Sequence, residues 1–203
     1  TMNRKNINMG LDETLAVAET VISRGREEGA RVQAYLAVAW ECPFEGPTPA
    51  AVVREQAQAL ADCGADELVI ADTIGAANPA AVRALMDELL ADHGAERLAC
   101  HFHDTRALGL ANVYAAVESG VRRFDSSVGG LGGCPFAPGA KGNVATEDVV
   151  MLCEAMGFDT GVDMPALLAA VDTVSDLIGT PQGGRAHYWL SKNPDLAPGR
   201  NAA

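Results

Sequence analysis

The hydrophobic residues of this chain fall into short apolar runs that alternate with amphipathic stretches. The runs typical of buried strands are residues 32–40, 67–75, 97–105 and 122–130. Between them, apolar residues recur every three or four positions, as in Val82, Leu85, Met86 and Leu89, and this period predicts helices that bury one face. Strands and helices that alternate at intervals of roughly 30 residues predict right-handed crossovers and a parallel sheet.

Particular residues mark the ends of the predicted helices. Thr48 followed by Pro49 predicts a helix start after the first strand, and Asn78 predicts another after the second strand. A helical pattern, "LDETLAVAETVISRG", precedes the first strand, with no strand before it. A further helix is expected after Asp163, with Leu177 in its apolar stripe.

Polar residues at the strand ends favour a barrel over a doubly wound sheet. Asp72, His101, His103 and Asp125 fall at the carboxyl ends of predicted strands, where (β/α)8 barrels carry their active sites. No G-x-G-x-x-G follows the first strand, as a dinucleotide-binding fold would require. The sequence therefore predicts an α/β fold, the C-terminal half of a (β/α)8 TIM barrel with about four strand-helix units. We expect the half-barrel over 1–157, a helical extension over 158–185 and a flexible tail over 186–203.

Composition and charge narrow the classes of partner. The 203 residues carry a formal net charge of −12. Nucleic acids and anionic membranes are bound mainly through clustered Lys and Arg, so we expect neither as a partner. Five scattered cysteines without a C-x-x-C pair favour reduced thiols over a disulfide framework or a structural zinc site. No secretory signal and no apolar run of bilayer length is visible, so we expect a cytoplasmic protein.

The segment "CHFHDT" places two histidines on one strand. Because strand side chains alternate between faces, His101 and His103 point the same way at the catalytic end of the sheet. Imidazole is the commonest protein ligand for metals, and one divalent cation could take both rings. Ordinary structural hydrogen bonds would explain the pair equally well.

The glycine-rich stretch "GGLGGCPFAPGAKGN", residues 129–143, holds one cysteine. Cys134 cannot pack there like a core strand residue, although burial is the usual fate of an intracellular cysteine. Asp72 could cap the turn after its strand, and Glu147 could favour a helix N-terminus. Turn chemistry alone would explain Asn143. Residue chemistry leaves these alternatives open.

Four segments together resemble the 3-hydroxy-3-methylglutaryl-CoA lyases, which belong to the metal-dependent barrel lyases and Claisen-type synthases. They are "ADTIG", "FHDT", "LAN" and "FDSSVGGLGGCPFAPGAKGNVATED". The resemblance runs from about Asn6 to Leu177, and the glycine loop with its cysteine is the most specific part. It implies that His101, His103 and Asn143 bind a divalent cation, Mg or Mn.

The resemblance also implies an activity and further site residues. The reaction would be metal-assisted retro-Claisen cleavage of 3-hydroxy-3-methylglutaryl-CoA to acetoacetate and acetyl-CoA, a step of leucine degradation and ketone-body formation. Cys134 would be the reactive thiol of a mobile lid, and Asp72 and Glu147 would lie in the catalytic neighbourhood. An acyl-CoA substrate and a homodimeric intact enzyme are expected.

Two departures from the family pattern keep other functions open. The family's first strand ends in an Arg-Asp pair that completes the metal site, and no Arg-Asp dipeptide occurs here. Ala107 follows Arg106 where the family usually has glycine. A different metal-dependent barrel lyase or carboxyltransferase is one alternative, and a half-barrel that is inactive by itself is another.

Overall fold

The computed structural model describes residues 1–133 and 142–193. Its main sheet has four parallel strands in the order β1-β4-β5-β6, so the predicted α/β organisation with a parallel sheet is confirmed. The strands of this sheet are β1 (Gln33–Ala37), β4 (Glu67–Asp72), β5 (Leu98–Phe102) and β6 (Phe124–Asp125). A small antiparallel pair, β2 (Glu41–Cys42) with β3 (Gly46–Pro47), follows β1 and was not predicted from the sequence.

Helices connect the strands and continue beyond the last of them. They are α1 (Met2–Ile7), α2 (Leu11–Glu27), α3 (Ala50–Asp62), α4 (Pro79–His93), α5 (Gly109–Ser119), α6 (Thr146–Ala155), α7 (Met164–Ile178) and α8 (His187–Lys192). Short 3-10 turns cover Ala95–Arg97 and Val128–Gly130. No helix in the described part of the chain is long and apolar enough to cross a bilayer.

The two faces of the sheet have different surroundings. On the outer face, Leu68, Ile70 and Phe102 are almost completely buried in a core that they share with α3, α4 and α5. On the inner face, the strand register aligns Tyr35 with Val69, and places His101 beside Asp125. Tyr35 remains 49% exposed, whereas Val69 is fully buried. The candidate site lies on this inner face, at the carboxyl ends of the strands.

Helix capping follows the sequence prediction at two helices and differs at a third. The Asn78 side chain accepts hydrogen bonds from the first turn of α4, and Asp163 accepts one from Ala166 N in α7. Thr48, predicted to cap α3, instead donates to the carbonyl of Val38 at 2.9 Å, and Pro49 occupies the cap position. The Thr48 hydroxyl thereby gives the Val38 carbonyl a hydrogen-bond partner in the loop after β1. The helix begins directly after Pro49, whose ring fixes φ at −63°.

The C-terminal segment packs back onto the sheet domain. A second apolar cluster joins α6, α7 and α8 through Val150, Leu167 and Leu190. Leu190 is fully buried, and its helix α8 lies within the segment expected to be a flexible tail. Leu177 was expected in the apolar stripe of α7, but its side chain is 82% exposed, so that assignment is wrong. It lies near the end of α7, beyond the turns that contact the rest of the fold.

Candidate metal site

Two backbone hydrogen bonds bring the histidine strand and the predicted asparagine ligand together. The Val144 amide donates to the carbonyl of Phe102 at 3.0 Å, and the Asp104 amide donates to the carbonyl of Gly142 at 3.2 Å. His103 and Asn143 therefore form an isolated antiparallel bridge. Within the histidine pair, the rings of His101 and His103 lie 5.1 Å apart between centroids. The three residues predicted as ligands meet at one point of the fold.

Three buried polar atoms at this point have no hydrogen-bond partner among residues 1–133 and 142–193. They are Nδ1 of His101, Nδ1 of His103 and Oδ1 of Asn143. The amide of Asn143 is oriented by a 2.8 Å hydrogen bond from Nδ2 to the carbonyl of Leu131, so the free Oδ1 is fixed as well. Buried polar atoms without partners are rare, because each forfeits its hydration on folding. A cation that takes the free Oδ1 of Asn143 and one nitrogen of each imidazole would remove part of this cost, so these residues fit a metal ion.

The protonation state of His103 suits metal binding. Burial, and secondarily the charge of His101, lowers the pKa of His103 from 6.5 to about 4. The ring is therefore neutral at physiological pH, and a neutral imidazole keeps the lone pair that a cation needs. His103 is only 5% exposed.

The donors that the described residues bring together include no charged ligand. In residues 1–133 and 142–193, no group of three or more His, Cys, Asp and Glu side chains is placed to hold a metal ion. The donors that meet here are two imidazoles and one amide oxygen. Nitrogen and oxygen donors of this kind suit Mn, Mg or Zn. Three donors leave coordination positions on such a cation open for further oxygen ligands, for example from a substrate.

Asp125 and Tyr35 lie next to His101. Oδ2 of Asp125 is 3.3 Å from Nδ1 of His101, although the angle does not satisfy a good hydrogen bond. The Tyr35 hydroxyl donates to the same oxygen at 2.6 Å, and its ring meets the His101 ring edge-on at 6.4 Å. Burial, followed by the hydrogen bond to Asp125, raises the pKa of Tyr35 to about 12, so the phenol remains a donor at neutral pH.

Asp72 is in the predicted place, at the end of β4, and its carboxylate is engaged by backbone. Oδ1 accepts from the Ala76 amide and Oδ2 from the Ala77 amide, both at 2.9 Å. The side chain is nearly inaccessible, and burial raises the pKa of its carboxyl despite these two donors. This geometry favours the capping alternative, in which Asp72 shapes the loop after β4.

The loop that Asp72 caps lies directly against the histidine strand. Asn112 of α5 is fully buried and donates from Nδ2 to the carbonyl of Ala77 at 3.0 Å. Gly75 has a φ of +63°, and a Cβ there would lie 3.1 Å from the carbonyl of His103. Only glycine permits this approach without displacing the strand end. Asp72 and Asn112 thus fix the loop after β4, and Gly75 of that loop lies against the backbone of His103.

Glu147, predicted in the catalytic neighbourhood, is completely buried at the start of α6. Its Oε2 accepts from the Gly129 amide at 3.1 Å, and its Oε1 accepts from the Gly184 amide at 2.6 Å. Asp148 accepts in the same way from the amides of Arg185 and Ala186. These carboxylates connect the start of the glycine loop with the C-terminal segment. Cys134 lies outside the described residues.

Sequence reasoning missed Tyr35 and Asp148 as contributors to this region. The signal for Tyr35 was a polar-tipped residue on the same strand face as Gln33, in the alternating pattern of β1. Asp148 could not be distinguished from an ordinary acidic residue of a first helical turn, because its partners are amides that lie far away in the sequence.

Comparison with known proteins identifies one family. The HMGL-like family model matches residues 1–174. Hydroxymethylglutaryl-CoA lyase YngG of Bacillus subtilis is 43% identical over 185 residues, which are 91% of this chain and 62% of that protein. The (R)-citramalyl-CoA lyase of Chloroflexus aurantiacus is 39% identical over 180 residues, 89% of this chain and 57% of its own length.

A solved structure has the same fold over nearly the whole chain. An HMG-CoA lyase from Acinetobacter baumannii, in complex with coenzyme A and 3-methylmalate, superposes with a TM-score of 0.87 at 37% identity. The match covers 99% of this chain and 63% of that one. The chain thus spans about three fifths of the length of the relatives that it matches.

Proposed function

The chain belongs to the HMGL-like family, and from this membership we propose that the protein is a carbon-carbon lyase that cleaves 3-hydroxy-3-methylglutaryl-CoA to acetoacetate and acetyl-CoA. The observation that carries the proposal is the meeting of His101, His103 and Asn143, each with a buried atom that has no partner in the part of the chain that the structure describes. The proposal includes the barrel: the four parallel strands would form half of a closed (β/α)8 sheet.

His101, His103 and Asn143 would hold a divalent cation, Mg or Mn. When bound, the cation supplies a Lewis acid that lowers the pKa of the substrate's tertiary hydroxyl. The residues of this chain contribute fixed positions. The neutral ring of His103 and the oriented amide of Asn143 are already in place, so little ordering is needed when a ligand binds.

Cys134 would supply the proton that completes the reaction. Cleavage leaves a thioester enolate, which must be protonated at carbon to become acetyl-CoA. A thiol with an ordinary pKa near ~8.5 is protonated at neutral pH and is well matched to this transfer. A loop that closes over the site would keep bulk water from competing.

Asp72 and Glu147 would act by positioning backbone. Asp72 orders the loop against His103, and Glu147 holds Gly129, where the glycine loop begins. Each of these carboxylates accepts two backbone hydrogen bonds, one at each oxygen, and each oxygen keeps a second lone pair that can accept a proton. We therefore propose that both lie in the catalytic neighbourhood, where each positions backbone and remains able to accept a proton.

An acyl-CoA substrate is supported by the relatives, one of which was solved with coenzyme A. The homodimer and the cytoplasmic location stay predictions. Because one relative is a citramalyl-CoA lyase, the acyl group has to be tested directly. Equal amounts of 3-hydroxy-3-methylglutaryl-CoA and citramalyl-CoA should be offered, and acetyl-CoA formation should be measured for each.

The test separates cation binding from proton delivery. His103→Ala and Cys134→Ala are compared for Mn²⁺ affinity by calorimetry, and for cleavage after a homologous N-terminal half has been supplied. His103→Ala should lose both Mn²⁺ affinity and cleavage activity. Cys134→Ala should keep cation affinity and lose about 10²- to 10⁴-fold in rate, the range expected for a general acid. His93→Ala, on an outer helix, is the control. Full activity of His103→Ala at limiting Mn²⁺ would refute the proposal.

A further inference from the structure

We propose that Asp125 is a positioning residue that fixes the ring orientation and the tautomer of His101. The inference rests on the proposed cation site, because it concerns how one of its ligands is presented. No direct contact between Asp125 and the substrate is required. The carboxylate would act entirely through the imidazole.

The register of the sheet places the two residues side by side. His101 and Asp125 are direct partners across the parallel β5-β6 pair, so their side chains leave the sheet on the same face. Oδ2 of Asp125 approaches Nδ1 of His101 to 3.3 Å. The same carboxylate oxygen also accepts a hydrogen bond from the Tyr35 hydroxyl at 2.6 Å. The acceptor is therefore anchored independently of the histidine.

A carboxylate beside Nδ1 selects one form of the ring. A neutral imidazole carries its proton on one nitrogen only, and a neighbouring acceptor favours the tautomer that can donate to it. With the proton on Nδ1, the lone pair of Nε2 is free for a cation. Carboxylates that hold metal-binding histidines in this way commonly govern ligand orientation and basicity. A small rotation of the ring would turn the present 3.3 Å approach into a hydrogen bond.

A purely structural role makes different predictions. Tyr35 lies on β1 and Asp125 on β6, the first and last strands in the order of the sheet, so their hydrogen bond spans the inner face. If that bond served only as a clamp, removing either partner would have the same effect. If Asp125 orients His101, loss of the carboxylate should change the tautomer of His101 and the Mn²⁺ affinity more than loss of the Tyr35 phenol does.

The first measurement needs no cation. In the metal-free 203-residue chain, the ring ¹⁵N chemical shifts of His101 report which nitrogen carries the proton. We expect the Nδ1-protonated form in the wild type and a shift toward the Nε2-protonated form in Asp125→Ala. Asp125→Asn retains an acceptor oxygen and should retain most of the wild-type signature. His93 serves as an internal reference. An unchanged His101 spectrum in Asp125→Ala would overturn the inference.

The second measurement is Mn²⁺ affinity. Asp125→Ala should bind Mn²⁺ about 10- to 100-fold more weakly, the usual effect of losing such a partner. Tyr35→Phe should lose less, and Asp87→Ala, on the exposed side of α4, should equal the wild type. Equal losses in Tyr35→Phe and Asp125→Ala would instead indicate the clamp and contradict our proposal. If the wild type binds no Mn²⁺ while the ring signature follows Asp125, the metal site of the proposed function fails and the positioning role stands.

Discussion

Ala107 shows how a single residue can depart from what its backbone position requires. Its φ is +59°, a left-handed conformation in which a Cβ crowds the backbone. Ala107 follows Arg106 and occupies the position at which the sequence resemblance leads us to expect glycine. We predict that Ala107→Gly raises the free energy of unfolding by about 0.5–1 kcal/mol, since glycine adopts this conformation without the steric cost.

Urea denaturation of the two proteins would measure this difference. The matched control is Ala111→Gly, an exposed position inside α5, where the same change should destabilise by about 0.5–1 kcal/mol. Destabilisation by Ala107→Gly would show that the left-handed backbone carries no steric cost.

The burial of His103 predicts a dependence of stability on pH in the metal-free protein. Its pKa falls from 6.5 to about 4 on folding, so the unfolded chain binds more protons between these values. The stability that this neutral ring contributes is present above pH 6.5 and is lost as the pH falls toward 4. A shift of this size corresponds to a loss of about 3 kcal/mol.

His103→Gln should remove that part of the pH dependence. The free energy of unfolding is measured in chelator from pH 4 to pH 7 for both proteins, and the two curves should converge as the pH falls. Parallel curves would mean that the ring titrates alike in the folded and unfolded chains.

At the scale of elements, α6 joins two segments that are far apart in the sequence. Glu147 in its first turn accepts amides from Gly129 and Gly184, and it is fully buried. Hydrogen bonds to a buried carboxylate are stronger than those between neutral groups. We predict that Glu147→Gln lowers the free energy of unfolding by about 1.5–3 kcal/mol and increases hydrogen exchange at Gly184.

Glu118→Gln is a suitable control for that experiment. Glu118 lies exposed on α5, and its replacement should change stability by less than about 0.5 kcal/mol. Wild-type exchange at Gly184 in Glu147→Gln would show that the carboxylate does not hold the C-terminal segment.

The elements that could be predicted from the sequence are those with local signals. Alternating strands and helices predicted the parallel sheet, and Asn78 and Asp163 marked helix starts because each caps its own first turn. The His101–His103 pair was visible because strand side chains alternate. The role of Glu147 could not be predicted, since its partner Gly184 is distant in sequence. Leu177 was misassigned because helical periodicity cannot show where a helix leaves its neighbours.

At the scale of the whole molecule, the two outer strands of the sheet, β1 and β6, each have one edge without a partner strand among the described residues. In the described residues, β1 pairs only with β4, and β6 pairs only with β5. The inner face also leaves Tyr35 half-exposed. Unpaired strand edges and open apolar faces favour association with other chains.

We predict that the 203-residue chain self-associates and shows no cleavage of 3-hydroxy-3-methylglutaryl-CoA by itself. A homologous N-terminal half should restore measurable cleavage, because it would supply the Arg-Asp pair expected from the resemblance. Light scattering coupled to gel filtration gives the oligomeric state, and acetyl-CoA formation gives the activity. A monomer that turns over substrate with Mg²⁺ or Mn²⁺ alone would contradict both expectations.

The bridge between His103 and Asn143 also has a consequence for folding. It joins two residues that are separated by a long segment containing α5 and β6, so forming the bridge closes a long loop of the chain. Loop closure costs chain entropy, which the two backbone hydrogen bonds of the bridge only partly offset. An ion that binds the closed form and not the open one would shift this equilibrium by mass action. Cation concentration would then set the fraction of molecules in which the bridge is closed, and chelation would be visible as faster amide exchange in β6.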